Sequence, residues 1–189
     1  MVTFPWGRGC GGRGRGPGYA VGAGPGAVPG EAPACTPGQL TLRVDGFDAA
    51  MGKSAAGITA TNTGDAACAL RGRPTVVIEQ GGDPIDLHLV PMGADTRTLT
   101  PAEQAEEDPA DGAVLSPGGR AAVSLYWPGY RTAADQETPQ SVSVVLDDGG
   151  SGVPAQISPA EPWGPAPFDL QDGVPGGAEL RVGPWTPAG

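Results

Sequence analysis

Lysine occurs once in the 189-residue chain, at Lys53, and histidine once, at His88; there are three cysteines and ten aromatic residues. No apolar run approaches the roughly 18 residues that a transmembrane helix requires. Each scarcity removes a class of function. One histidine and three scattered cysteines without Cys-x-x-Cys spacing leave no zinc pattern. Lys53 follows Met51-Gly52 outside any Gly-x-x-x-x-Gly-Lys frame, so no phosphate-cradling loop is expected. No Gly-x-Ser-x-Gly elbow exists to present a serine to His88. Few aromatics are available to line a sugar cleft between paired carboxylates. The expectation is therefore a protein with no catalytic, cofactor-binding or metal-binding residues, needing no cofactor and not an enzyme.

Glycine (33) and proline (22), by contrast, are abundant. They concentrate in residues 1–34 and 158–189 and leave a middle stretch with apolar alternation. Charge is uneven too. Arg8, Arg13 and Arg15 face a single acid, Glu31, in the first 34 residues, while the remainder holds eight basic and twenty acidic groups. An acidic body repels nucleic acid and anionic membranes, so nucleic-acid binding by the folded part is not expected. The ten arginines against one lysine, with much alanine, glycine and proline, suggest a GC-rich, actinobacterial source.

Residues 1–34 carry too little apolar surface to offset backbone ordering and read as a disordered leader or linker. The start, Met1-Val-Thr-Phe-Pro-Trp-Gly7, has no compact apolar core of a signal peptide. An exported protein would then have its targeting segment removed or upstream. From Cys35 to Gly189 a single domain is expected, with a Pro/Gly-rich C-terminal portion.

Strands are expected where apolar residues recur with period two. These are Gln39–Asp45, Ala56–Asn62, Thr75–Gln80, Ile85–Val90, Arg120–Trp127, Ser141–Leu146, Val153–Ile157 and Glu179–Val182. Arg120–Trp127 is the clearest, with Ala121, Val123, Leu125 and Trp127 on one side. In Ile85–Val90 the alternation puts His88 on the solvent face between Leu87 and Leu89. About seven or eight short strands separated by turn residues imply an all-β antiparallel sandwich. The one helix start, Thr100-Pro-Ala-Glu103, has an N-cap threonine and proline at the first helical position. It would give a short helix inside a long loop, Pro91–Gly112, whose Glu103, Glu106 and Glu107 make it the first choice for a contact surface. The same acids could hold calcium, although their spacing suits a solvated helical face better.

Cys35 opens the first strand and Cys68 follows the second, a placement that suits a staple between neighbouring segments; two reduced thiols are the alternative. Cys10 is left over.

Ala34-Cys35-x4-Leu40, Thr61-Asn62-Thr63-Gly64, Ala67-Cys68-Ala69-Leu70-Arg71-Gly72-Arg73-Pro74 and Leu115-Ser-Pro-Gly-Gly-Arg-Ala-Ala-Val-Ser-Leu-Tyr-Trp127 form one ordered set, closed by Glu179–Pro187. Together they resemble a domain of unknown function common in exported proteins and lipoproteins of actinobacteria. The resemblance covers about residues 34–187. It implies an immunoglobulin-like sandwich outside the cytoplasmic membrane, secreted or in the cell envelope, with Cys35 and Cys68 as its disulfide. The chain departs from the pattern in two ways: it lacks the second cysteine pair that many members carry, and Gly7-Arg-Gly-Cys10 is no lipobox. The resemblance brings no catalytic residues. The leading expectation is a monomeric binding module for a protein, glycan or small ligand. A purely structural surface domain would lack any concave or apolar patch. A hydrolase would need a cleft gathering His88 with carboxylates.

Overall fold

The computed structural model describes residues 32–92, 112–132, 134–146, 150–158, 163–171, 173 and 175–189. Within them the chain is all-β and sandwich-like, its only helical element a 3-10 turn at Pro37–Gln39. The twelve strands are β1 (Leu40–Ala50), β2 (Lys53–Asn62), β3 (Cys68–Leu70), β4 (Thr75–Gln80), β5 (Asp83–Pro84), β6 (Leu87–Pro91), β7 (Ala113–Leu115), β8 (Arg120–Pro128), β9 (Gln140–Val145), β10 (Val153–Ile157), β11 (Ala178–Val182) and β12 (Thr186–Ala188). All eight expected strands are present, and the additional β3, β5, β7 and β12 are two or three residues long. The short helix over Thr100–Glu107, and with it Glu103, Glu106 and Glu107, lies outside the described residues, as do residues 1–31.

One large sheet runs β5-β4-β9-β10-β1-β2-β8-β11-β6, with β12 also on β8; β3 and β7 form a separate two-stranded ribbon. The sheet is mixed rather than wholly antiparallel, because β1 pairs β10 and β11 pairs β6 in parallel. Near opposite ends of this path, β4 and β6 come back into contact, so the sheet curls over on itself. Its inner faces thereby share one core.

That core follows the alternation. Along β8 the residues Ala121, Val123, Leu125 and Trp127 are buried and their neighbours are not. β1 contributes Leu40, Leu42 and Val44, and β2 contributes Ala56, Ile58 and Ala60. The same inward face of β2 also carries Ser54 and Asn62, one near each end, both fully enclosed. The β1–β2 hairpin turns at Met51-Gly52, where both residues have positive φ (50° and 74°) as a tight two-residue turn demands. Met51 is almost wholly exposed and makes no core contribution. No helix among the described residues is long and apolar enough to cross a membrane.

The described residues just before Cys35 pack on the domain. Ala32 is buried and its carbonyl accepts a bond from Arg71, while Ala69 N donates to Pro33 O at 2.7 Å. Ala34 also bridges to Ala69. Residues 32–34 thus lie along β3: amides of a short buried strand need partners, and this segment supplies them.

Candidate functional site

The residues that form the ordered sequence pattern hold the fold. Cys35 and Cys68 are both buried and disulfide-bonded, with Cα atoms 4.8 Å apart. Asn62 Nδ2 donates to the carbonyls of Ala66 (2.8 Å) and Leu115 (2.9 Å), and its Oδ1 accepts from Gly64 N at 2.9 Å. One buried amide therefore ties the end of β2 to β7 and to the following turn. The Pro-Gly-Gly turn closes through Gly119 N on Ser116 O (2.7 Å), with Gly118 at φ 77°. Buried polar groups of this kind specify one arrangement when fully satisfied.

His88 sits elsewhere. It lies on β6 at the end of the sheet and is exposed, while Leu87 and Leu89 pack against the core, as the alternation required. Its partner in the parallel β6–β11 register is Glu179. Both line a cavity of about 500 Å³ whose other walls include Pro128, Tyr130, Leu170 and Ala178. This is the size range of small-molecule sites. A second cavity, of about 470 Å³ along β1 and β10, has no titratable side chain in its lining.

Each wall of the first cavity has a reason for its position. Glu179 and Arg181 alternate on β11 with the buried Ala178, Leu180 and Val182, so both face away from the core. Arg181 Nε donates to Glu179 Oε1 at 2.7 Å, leaving Oε2 without a partner among the described residues. Gly176 and Gly177 have φ of 90° and 86°. At Gly177 a Cβ would stand 3.0 Å from both Asp86 O and His88 N, so only glycine lets this loop lie flat on β6. Ala178 N completes the contact by donating to Asp86 O (2.8 Å).

On the opposite side, Tyr130 is 43% exposed at the end of β8, and its backbone N donates to Asp169 O (2.9 Å). Asp169 itself is buried at 3% exposure between Phe168 and Leu170, with Oδ1 accepting from Trp127 Nε1 at 2.8 Å. Trp127 and Phe168 pack with ring centroids 5.0 Å apart and planes tilted by 37°, and Phe47 meets Phe168 edge-on at 5.3 Å. Gly129 passes close over this buried polar pair, since a Cβ there would lie 2.5 Å from Ser54 Oγ and 2.8 Å from Asp169 Oδ2. Ser54 Oγ is enclosed without a hydrogen-bond partner among the described residues. The lining residues Pro128 and Leu170 are thus chain neighbours of the buried Trp127–Asp169 pair.

The structure thus brings His88 together with a carboxylate, Glu179, and an aromatic ring, Tyr130. Of these three residues the sequence singled out only His88, and only for the hydrolase alternative. The partnership depends on strand order, for which period-two alternation carries no information. Asp169 and Ser54 were also missed; Ser54 could have been found as a polar residue in register with Ala56 and Ile58. Among the described residues no three His, Cys, Asp or Glu side chains converge as a metal site.

No curated protein and no solved structure matches the chain. Residues 35–186 match the family described as Domain of unknown function (DUF4232), which spans nearly all the described strands. The chain belongs to that family.

Proposed function

We propose that the chain is a non-catalytic binding module that works outside the cytoplasm, secreted or in the cell envelope, and holds a small ligand in the His88–Tyr130–Glu179 cleft. The observation carrying this reading is the cleft itself: a cavity of ligand size with a few polar groups set on an apolar wall and fixed by tight backbone contacts. The buried disulfide suits an oxidising compartment. A cleft with exposed Tyr130 also favours binding over a purely structural surface role.

The competing hydrolase reading gains one observation, since His88 and Glu179 are strand neighbours in the same cavity. Against it, the described lining holds no serine, threonine or cysteine to act as nucleophile. Purified protein incubated with ester, peptide and glycoside substrates should give no turnover. Turnover that disappears in both His88→Ala and Glu179→Gln would replace this reading with the hydrolase.

A further inference from the structure

From the charge arrangement around the cleft, we infer that its ligand is a small organic cation, an amine or ammonium compound with an apolar body. This rests on the cleft being the binding site. Three observations point the same way. Glu179 is the one carboxylate in the described lining, and no lysine or arginine lines it. One carboxylate oxygen, Oε2, has no partner among the described residues. The Tyr130 ring is exposed at the rim, and an aromatic face attracts a cation through its quadrupole.

The whole chain reinforces this bias, with a formal net charge of −10 at pH 7. A field of that sign enriches cations near the surface and repels anions. Pro128, Leu170 and Ala178 supply the apolar wall for the rest of the ligand, and His88 offers a ring nitrogen to an N–H donor. Arg181 sets the limit on affinity, because it competes with any cation for the Glu179 carboxylate.

The test compares benzylamine with its neutral and anionic analogues, benzyl alcohol and benzoate, by NMR titration of the full chain at neutral pH. Benzylamine should shift the resonances of His88, Tyr130 and Ala178, with benzyl alcohol weaker and benzoate weakest. Glu179→Gln should weaken benzylamine about fivefold or more, equivalent to roughly 1 kcal/mol. Arg181→Gln, which releases the carboxylate, should strengthen it. These opposite signs cannot both arise from a general loss of folding. If benzyl alcohol or benzoate binds the cleft as tightly as benzylamine, the cleft is a site and the cationic class is wrong. If none of the three shifts the cleft resonances, the cleft reading fails together with the inference.

Discussion

Opening the Cys35–Cys68 bridge should cost the protein a large part of its stability. The two cysteines are 33 residues apart in sequence. On the chain-entropy account, closing a loop of that length removes about 3–4 kcal/mol of freedom from the unfolded chain. The native structure is already arranged to receive the bond. Cys35 N donates to Ala69 O at 3.0 Å, and Cys68 is paired with Leu115 in the β3–β7 ribbon. The bridge therefore joins segments that meet in any case, and its effect falls mainly on the unfolded ensemble. For a chain of this size, about 3–4 kcal/mol corresponds to a fall in melting temperature of roughly 6–16 °C. The assay is urea and thermal unfolding of the oxidised protein, of the same protein reduced while unfolded, and of Cys35→Ala/Cys68→Ala. The reduced protein isolates the constraint, because no side-chain volume is removed. The double alanine variant should lose somewhat more, through lost packing at two buried sites. If reduced and oxidised proteins unfold within about 1 kcal/mol of each other, the loop-closure argument fails here.

Asn62→Ala should destabilise by about 2–3 kcal/mol in urea unfolding, because two carbonyls and one amide lose a buried partner together. Trp127→Phe removes the indole donor to Asp169 Oδ1 and should cost about 1–3 kcal/mol. The cost should shrink when Asp169→Ala is already present, a coupling that a double-mutant cycle measures. Asp135 is held down to about 2, chiefly by its side-chain bond with Thr138 and then by the backbone amides of Glu137 and Thr138. Its folded pKa lies below its unfolded value, so its contribution is present above the unfolded pKa and is lost as pH falls through about 2. A carboxyl-carbon NMR titration finding an ordinary aspartate value for Asp135 would remove that turn as an ordered element.

The strands that alternate cleanly could be read from the chain. β8 places Ala121, Val123, Leu125 and Trp127 inward because nothing but a period-two pattern fits that run. β3 could not be read this way, since Cys68, Ala69 and Leu70 are all buried and a three-residue enclosed strand has no alternation. The Met51-Gly52 turn was hidden for a different reason: methionine rarely takes positive φ, so the residue type gives no warning of the hairpin. Strand direction was hidden as well, and so the parallel β6–β11 pair came only from the fold. That pair makes the cleft. His88 was legible as an exposed strand histidine, but Glu179 becomes its neighbour through register. Tyr130 joins them because the chain leaves β8 beside the buried Asp169. Glu103, Glu106 and Glu107, the residues that the loop length singled out, fall outside the described residues, and the cleft rests on none of them.

Ligand binding in the His88–Tyr130–Glu179 cavity underlies every functional statement above. An amide NMR screen of the full chain against a library of small amphipathic compounds tests it most directly, with the shifts mapped onto the structure. Hits should cluster on His88, Tyr130, Leu170, Ala178 and Glu179, and Gly177→Val, which must push its loop off β6, should abolish them while the β1, β2 and β8 resonances stay in place. Hits that cluster on another face, or that survive unchanged in Gly177→Val, would contradict it.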